Sequence, residues 1–312
     1  MAIPFKMSFI YEKITRRNEL FAQIRDFFKS RQVLEVDTPL LRDFSVTDPY
    51  MSAFSVISPS GKHQGYLQTS PEYAMKKLLC SGSGDIYQMS KMFRADEKGA
   101  IHSSEFTMLE WYRVGFDHLQ LIDEVCCLIQ EIVGEKQIQM LSYQQAFLNS
   151  LSFDPFNISL DKLSQIAGEL LGDIPQDLLF DNYLTLLFSE KIETNFNPNK
   201  ITVVHGFPAS QASLAKTRSE NGLTSADRFE VYLAGMELAN GFNELTDAQQ
   251  QRQRFKQDNE VRAELGYTPI EIDVGFIQAL KHGLPECAGV ALGFDRLLMI
   301  KFGKKNIEDV LL

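Results

Sequence analysis

Residues 11–31 carry apolar side chains at helical spacing between charged ones, which predicts an amphipathic helix near the start of the chain. The same spacing returns after Asp117, which is placed to cap a second helix that runs to Val133. The apolar positions of the second helix are expected to lie in the core. Both stretches therefore predict helices that bury one face.

Shorter segments carry the patterns of strands. V-L-E-V-D-T-P-L-L alternates apolar and polar residues until Pro39, where the pairing of a strand must change. Residues 53–57 and 65–68 flank the turn S-P-S-G-K and predict a hairpin. Further strands are predicted at residues 86–92, 201–204, 229–238 and 287–292.

A helix is predicted directly after the hairpin. Ser70 can cap it with Pro71 at its first position, and it runs through Met75 and Leu79. Glu72 then lies in the first turn, where its charge either complements the helix dipole or points at the amine of a ligand.

Residues 141–199 differ in character from the rest. Helix-like segments at residues 142–148, 160–171 and 176–193 are broken by D-P, G-D-I-P and N-P-N. They hold no concentrated group of polar residues. The stretch is interpreted as a helical insertion, at about 141–199, packed on a single domain that covers residues 1–312.

Composition excludes several classes of protein. The 41 acidic against 31 basic residues argue against a broad nonspecific grip on nucleic acid. The four cysteines form no C-x-x-C pair, and the five histidines lack zinc-site spacing. The N-terminus lacks the apolar region of a signal peptide, and no run is long enough to span a membrane. A soluble, cytoplasmic protein with reduced thiols is therefore expected.

The stretch from Phe93 to Tyr112 concentrates unusual polar residues. It opens with an arginine beside two acids, crosses a polar loop, and enters an apolar run that still carries Glu105 and Glu110. Carboxylates beside Trp111 are expensive to bury without partners. The stretch is either a hairpin with a solvated tip or part of a functional site.

Two further groups of charges lie near the C-terminus. Glu230, Glu237 and Glu244 recur every seven residues, and a bend near Gly235 or Gly241 would bring them together. Arg296 lies on an otherwise apolar helix and needs an anionic partner, either Asp295 or another carboxylate of the core, or a phosphate.

Together these groups predict an enzyme that binds a magnesium nucleotide, with a cationic substrate. Arginine matches phosphate oxygens, and Mg²⁺ needs only one or two carboxylates beside them. No P-loop, kinase loop or Rossmann fingerprint is present, and no nucleophile–histidine spacing stands out. The residues that carry this prediction are Glu72, Arg94, Asp96, Glu105, Glu110, Glu230, Glu237, Asn240, Glu244 and Arg296.

Three stretches resemble, in order, the three motifs of the class II aminoacyl-tRNA synthetase catalytic domain. They are V-L-E-V-D-T-P-L-L, then F-R-A-D-E through H-S-S-E-F-T-M-L-E-W-Y, and finally G-V-A-L-G-F-D-R-L. E-F-T-M-L-E-W-Y and E-L-A-N-G-F-N-E-L are similar to the lysyl branch. The resemblance implies an α+β fold, with a mostly antiparallel sheet flanked by helices, and a homodimer formed through the first motif.

Within this family the chain is similar to the lysyl-tRNA synthetase paralogues that modify elongation factor P. T-S-P-E-Y-A-M-K-K-L-L, P-A-S-Q-A-S-L-A and R-F-E-V-Y match them, and with about ten residues before the first helix no anticodon-binding domain is expected. The resemblance implies that ATP activates (R)-β-lysine as an adenylate, which is transferred without tRNA to the ε-amino group of a lysine on elongation factor P. The alternatives are a truncated lysyl-tRNA synthetase-like enzyme that uses α-lysine and a non-catalytic regulatory paralogue.

The resemblance also implies residue roles. Arg94 and Arg296 would be catalytic, holding the α- and γ-phosphates of ATP. The expected ATP-binding residues are Arg94, Ala95, Asp96, Ser103, Glu237, Leu238, Gly293 and Arg296. The expected substrate-binding residues are Ser70, Pro71, Glu72, Glu110, Tyr112, Asn240, Glu244 and Ala291, and Mg²⁺ is expected at Glu230, Glu237 and Glu244.

Three positions refine this comparison. Ala291 stands where lysyl-tRNA synthetases usually have glycine and β-lysine ligases have alanine, so its methyl group would disfavour an α-amino acid. Asp96 replaces a glutamate of the family motif, which Glu97 or a water molecule would compensate. Ser103 replaces an asparagine expected near the adenine.

Overall fold

A mixed β-sheet forms the centre of the molecule. The structure is a computed structural model that describes residues 7–175, 178–220 and 222–312. In these residues, eight strands lie in the order β1-β5-β6-β12-β11-β10-β8-β7, and a ninth, β9, pairs with β10. The β1–β5 and β7–β8 pairs are parallel and the others antiparallel. The strands are β1 (Leu34–Glu35), β5 (Ile86–Phe93), β6 (Glu105–Val114), β7 (Ile138–Ser142), β8 (Ile201–Pro208), β9 (Thr217–Glu220), β10 (Leu223–Leu233), β11 (Met236–Asn243) and β12 (Cys287–Gly293).

One face of this sheet is closed by the main hydrophobic core. The helices α1 (Met7–Ser30), α3 (His118–Val133) and α9 (Phe294–Lys301) supply its apolar side chains. Because side chains alternate along a strand, Leu109 and Trp111 of β6 enter this core while Glu110 and Tyr112 lie on the opposite face. The predicted α+β class with a mostly antiparallel sheet is therefore confirmed.

The opposite face is closed only in part. A small antiparallel sheet of β2 (Leu41–Arg42), β4 (His63–Leu67) and β3 (Ser55–Ile57) precedes the helix α2 (Glu72–Cys80). This helix packs against α8 (Val274–Gly283), which follows α7 (Ala248–Glu264), and a second core lies between them. The predicted hairpin at residues 53–68 is confirmed by the pairing of β3 with β4.

A third hydrophobic cluster lies beyond β8. The helices α4 (Tyr143–Leu151), α5 (Leu160–Leu171) and α6 (Phe180–Leu187) build it, followed by a π-helical turn (Phe188–Ile192) and a 3₁₀ turn (Glu193–Asn195). Three predicted helical segments fall here, although the start predicted at Gln176 lies outside the described residues. Whether residues 141–199 are an insertion stays a prediction.

Two predicted strands are wrong in their extent. V-L-E-V-D-T-P-L-L forms only the two-residue strands β1 and β2, on either side of Pro39. The predicted strand at residues 229–238 is a hairpin, because Ala234 and Gly235 have left-handed φ angles of 55° and 74° and reverse the chain between β10 and β11. The bend expected near Gly235 is thus a two-residue turn.

The ends of two helices test the capping predictions. Asp117 caps α3 by a reciprocal capping box with Gln120, as predicted. The α2 helix begins at Glu72, and Pro71 lies just before it. Ser70 still accepts a hydrogen bond from the Glu72 amide at 3.1 Å. No helix among residues 7–175, 178–220 and 222–312 is long and apolar enough to cross a membrane. The prediction that the N-terminus is not a signal peptide concerns mainly residues 1–6, which lie outside the described part.

Candidate active site

A row of side chains crosses five strands on the partly open face of the sheet. The strand registers place Gln88 beside Glu110, Glu110 beside Ala291, Ala291 beside Asn240, and Asn240 beside Glu230. Residues directly opposite on neighbouring strands share a face. The sheet therefore gathers four of the predicted site residues from four different strands.

One end of this face holds three carboxylates around a buried lysine. Lys76 Nζ lies 2.6 Å from Glu72 Oε1 and 2.5 Å from Glu244 Oε2, and Lys76 is only 1% exposed. Burial lowers the pKa of Lys76, but the two carboxylates raise it by more, so it remains charged. We call Glu72, Lys76, Glu110, Tyr112 and Glu244 the carboxylate end.

Glu110 completes the carboxylate end. It is 2% exposed, and its Oε1 accepts a hydrogen bond of 2.7 Å from the Tyr112 hydroxyl. Burial and the charge of Glu72 raise the pKa of Glu110 to about 8, and burial raises the pKa of Glu244 to about 7 despite Lys76. Glu105, which stood out beside it in the sequence, lies exposed and pairs with Lys91 at 3.3 Å.

Three buried oxygens at the carboxylate end accept no hydrogen bond from a described donor. They are Glu110 Oε2 and both oxygens of Glu244, of which Oε2 is paired only by charge with Lys76. A Cβ atom on Gly289 would lie 2.3 Å from the Tyr112 ring and 2.4 Å from Glu244 Oε1, so glycine is required where these groups approach β12. Buried acceptors without donors are costly, which marks this end as a place for an ammonium group.

The other end of the face holds two arginines. Arg94 follows β5, donates to the Thr69 carbonyl at 3.3 Å and lies 5.1 Å over the Phe106 ring. Its nearest carboxylate is Glu97 at 3.7 Å, whereas Asp96 is exposed in a turn with a φ angle of 64°. Glu97, which was expected to compensate for the shorter Asp96, therefore lies beside Arg94.

Arg296 is held mainly by neutral groups. Its guanidinium donates to the carbonyls of Glu237 (2.8 Å) and Ile101 (3.3 Å) and contacts His102 at 2.7 Å. Asp295, its possible carboxylate partner, instead binds Arg17 at 2.5 Å. We call Arg94, Arg296 and Glu237 the arginine end. Gly293, the residue of β12 next to Arg296, lies four residues along that strand from Gly289 at the carboxylate end. The two ends are therefore about 13 Å apart along β12.

The three carboxylates spaced by seven residues are separated in the structure. Glu230 is bound by Arg228 and by the Tyr232 hydroxyl, and Glu237 lies opposite Tyr232 on the neighbouring strand. Glu244 lies at the carboxylate end, about 23 Å along the chain from Glu237. In the described ranges no three acidic, histidine or cysteine side chains form a group suited to a metal ion.

Glu237 nevertheless retains an unusual carboxyl group. Burial and the charge of Glu230 raise the pKa of Glu237 to about 7, while Arg296 and Arg228 act in the opposite direction. The charge of Glu193, from the 3₁₀ turn after α6, adds to this effect. A carboxylate in such a position suits a cation that arrives together with phosphates.

The remaining predicted residues lie around this face with different exposures. Pro71 is buried and Ser70 half-buried at the start of α2, while Ser103 lies in the loop before β6. The Ala95 amide donates to the Ser52 carbonyl at 2.8 Å. The Leu238 side chain lies in the main core, which leaves its backbone for ligand contacts. A Cβ on Gly293 would meet only the Arg296 side chain, at 3.5 Å or more, so a need for glycine there would come from a ligand.

Sequence reasoning missed Lys76 and Arg228. Lys76 stands four residues after Glu72 in a predicted helix, and this spacing places two side chains on one face. Arg228 donates to Asn240 Oδ1 at 3.3 Å and also binds Glu230, so it fixes two predicted site residues. Its position two residues before Glu230 in a strand was the available signal, because such residues share a face.

The fold and these two ends define a class of protein. Residues 4–312 match the family of class II tRNA synthetases (D, K and N), and the chain therefore belongs to the class II tRNA synthetase family. The expected family resemblance is confirmed.

Curated relatives lead to one kind of ligase within this family. A protein of Photorhabdus laumondii subsp. laumondii is 48% identical over 307 residues, which cover 96% of this chain and 93% of its own. A protein of Vibrio vulnificus is 47% identical over 317 residues (99% and 98%), and one of Vibrio atlanticus is 46% identical over 307 residues (96% and 94%). Each is named elongation factor P–(R)-β-lysine ligase, and the chain is a member of the same family as these ligases.

Proposed function

We propose that this protein uses ATP to activate (R)-β-lysine as an adenylate and transfers the β-lysyl group to the ε-amino group of a lysine on elongation factor P. The reaction takes place in the cytoplasm and needs no tRNA. The observation that carries this proposal is the placement of the arginine end and the carboxylate end on one face of the central sheet. The names of the curated relatives support the same substrate and acceptor.

The carboxylate end recognises the amines of the substrate. Glu110 Oε2 and Glu244 Oε1 are buried acceptors without donors, and each accepts a hydrogen bond from an ammonium group. Tyr112 holds Glu110 in place through its hydroxyl. Asn240 and Ala291 lie between this end and the nucleotide, where the carbon chain of the substrate passes.

The arginine end supports the first step. A carboxylate oxygen of β-lysine attacks the α-phosphorus of ATP, the bond to the β-phosphate oxygen breaks, and pyrophosphate leaves. Arg94 stabilises the negative charge that develops on the α-phosphate, and Arg296 binds the γ-phosphate. No protein nucleophile is needed, because positioning and charge stabilisation suffice.

The second step forms an amide. The neutral ε-amine of the acceptor lysine attacks the carbonyl carbon of the adenylate, its proton is lost, and AMP leaves with the bonding electrons. Arg94 remains beside the phosphate of AMP as it leaves. The loop at residues 95–104 reaches over the nucleotide, so it contacts ATP in the first step and AMP in the second.

Magnesium fits the arginine end better than the predicted set of three carboxylates. Burial and the charge of Glu230 raise the pKa of Glu237, and Glu230 lies near it across the β10–β11 hairpin, so these two residues would hold the ion with phosphate oxygens. When bound, Mg²⁺ neutralises charge on the phosphates. Glu244 lies too far along β11 to join them.

We also propose a homodimer formed through the first motif. Four apolar residues near the start of the chain support it, because they are exposed although they lie beside the core. They are Ile10, Tyr11, Ile14 and Leu34. Light scattering after size-exclusion chromatography measures the mass in solution, and a monomer at every concentration would contradict this proposal.

The chain itself is proposed to form one catalytic domain. The helices at residues 141–199 support this view, because their cluster packs directly on β8 of the central sheet. Limited proteolysis distinguishes the alternatives: a stable fragment that retains this helical cluster alone would indicate a separate domain.

One assay tests the activity and its rivals. ATP–pyrophosphate exchange is measured with (R)-β-lysine and with α-lysine, followed by mass spectrometry of elongation factor P. We expect faster exchange with (R)-β-lysine and an added β-lysyl group on one lysine of the factor. Faster exchange with α-lysine together with transfer to tRNA would favour a truncated lysyl enzyme, and no exchange with either amino acid would favour a regulatory paralogue.

A further inference from the structure

Lys76 is a buried cation inside a pocket that is itself expected to bind cations. It lies on α2, one turn after Glu72, and contacts both Glu72 and Glu244. With 1% exposure it has no access to solvent that would favour a charge. A lysine is rarely buried so completely unless it is paired, so its two partners account for its presence.

The pairing of Lys76 uses only part of each carboxylate. Lys76 donates a hydrogen bond to Glu72 Oε1 and forms an ion pair with Glu244 Oε2, while Glu244 Oε1 has neither contact. Glu110 Oε2 is likewise without a donor, although Tyr112 binds the other oxygen. The lysine thus leaves buried oxygens available on both sides of β12, from Glu110 on β6 and from Glu244 directly after β11.

The charges in this pocket do not balance without a ligand. Glu72, Glu110 and Glu244 contribute three carboxyl groups, and Lys76 contributes one ammonium group. When all three carboxyl groups are ionised, two negative charges remain. A ligand with two ammonium groups matches this remainder, whereas a ligand with one does not.

We propose that Lys76 is a positioning residue, which orients Glu72 and Glu244 and favours the charged form of Glu244, so that the free oxygens select a substrate with two ammonium groups. This inference rests on the proposed function and assigns to Lys76 a part in its substrate choice. Lys76 does not touch the reacting atoms. It acts through Glu244, whose second oxygen faces Tyr112 across Gly289.

The physical reason is the cost of burying several carboxylates together. Without Lys76, Glu244 would face two other carboxyl groups in a buried site, and such a group takes up a proton rather than remain charged. A neutral carboxylic acid binds an ammonium group weakly. The titratable and charged groups that face Glu244 are Glu72 and Lys76 on α2, Glu110 and Tyr112 on β6, Cys287 on β12, and Lys216 before β9.

The test replaces Lys76 by a side chain of similar shape without a charge. In Lys76→Met we expect the KM for (R)-β-lysine in ATP–pyrophosphate exchange to rise about tenfold or more at about pH 7. The KM for ATP should stay unchanged. Raising the pH to about 9 should restore much of the affinity, because Glu244 then ionises without its partner. A purely structural defect would not depend on pH in this way.

Lys77 provides a matched control on the same helix. It pairs with Asp273 at 2.7 Å, is half-buried, and points away from the carboxylate end. Lys77→Met removes a comparable ion pair, and we expect its KM values to match those of the unsubstituted protein at both pH values. A pH-dependent rise in KM in Lys77→Met equal to that in Lys76→Met would overturn the assignment.

A second variant keeps the test decisive if Lys76→Met does not fold. Lys76→Gln retains hydrogen-bond donors without the charge, and the same pH-dependent rise in KM is expected. In Lys76→Ala, added ethylammonium should lower the KM again by occupying the vacated site. An unchanged or lower KM in an active variant would show that Lys76 does not support binding and would overturn this inference alone. Absence of exchange in the unsubstituted protein would overturn the proposed function as well.

Discussion

The arginine end and the carboxylate end of the pocket hold their charges in different ways. Arg296 is held by the neutral backbone carbonyls of Glu237 and Ile101, and Arg94 by that of Thr69. Glu244 and Glu72, in contrast, are held by the internal cation Lys76. Carbonyls orient a guanidinium without cancelling its charge, so the arginine end stays positive for phosphates.

The two ends also differ in their access to solvent. The Arg94 side chain is 23% exposed, whereas Lys76, Glu110 and Glu244 are at most 2% exposed. Electrostatic interactions are stronger where water is excluded. Under the proposed function, the carboxylate end should therefore discriminate between substrates by charge, and the arginine end should admit the nucleotide and act on its phosphates. Substitutions at each end should change different kinetic constants.

The largest expected effect is at the arginine end. Arg94→Ala should lower kcat in ATP–pyrophosphate exchange by about a hundredfold to a thousandfold, because a fixed donor to the developing charge is lost. The KM for (R)-β-lysine should change little. Arg25→Ala, which removes an exposed pair with Glu35, is the control and should retain full activity. A variant of Arg94 with normal kcat would end the distinction between the two ends.

The next effect is at the carboxylate end. Glu244→Gln should raise the KM for (R)-β-lysine by about tenfold to a hundredfold, since a hydrogen bond to a charged group is lost. The KM for ATP should remain normal. Glu286→Gln is the control, because it removes an exposed carboxylate that pairs with Lys216. If Glu244→Gln weakened ATP and β-lysine equally, the two ends would not be separate binding regions.

A smaller effect is expected between the two ends. Ala291 lies beside Glu110 on one strand and Asn240 on the other, so its methyl group borders the substrate. Ala291→Gly should raise the use of α-lysine relative to (R)-β-lysine by about tenfold. Competition between the two isomers in the exchange assay measures this ratio. An unchanged ratio would mean that other residues select the isomer.

The smallest expected effect is a dependence on pH. Burial raises the pKa of Glu110 to about 8, so this carboxyl keeps its proton in the folded protein at pH values where the unfolded chain has lost it. The folded state then binds more protons between about pH 5 and about pH 8, and the melting temperature of the free protein should fall across this range.

The substrate should respond in the opposite direction. An ammonium group favours ionised Glu110, so the KM for (R)-β-lysine should fall by a few-fold as pH rises from about 6 to about 8. Calorimetry in buffers of different ionisation enthalpy should detect protons released on binding. Proton uptake on binding would be incompatible with a raised pKa at the carboxylate end.

Much of the fold was predictable because local patterns matched the final structure. The cap at Asp117 and the apolar or small residues of β5 and β12 are local features of the sequence. The hairpin at Ala234 and Gly235 was missed because the apolar run continues across the turn, and the alanine there adopts an uncommon left-handed conformation. The strands on either side of Pro39 pair with β5 and β4, which come later in the chain, so their extent depends on the fold and not on the local pattern.

The candidate site shows the same division. Resemblance to three motifs was enough to predict the arginine end and all of the carboxylate end except Lys76, but equal spacing of Glu230, Glu237 and Glu244 suggested one group where the structure has two. Along an extended strand, seven residues separate side chains too widely to share an ion. Only the reversal at Gly235 returns Glu230 to the neighbourhood of Glu237.

The amino-acid sequence by itself determined the family and the order of its motifs, and it supplied the prediction of which residues meet ATP and the substrate. Burial and partnership were decided by the tertiary structure alone: Glu110 lies buried while Glu105 is exposed, Asp295 binds Arg17 rather than Arg296, and Lys76 lies among carboxylates. The reason is physical. The pKa and partners of a charged group depend on groups brought near it from distant parts of the chain, and these distances exist only after folding.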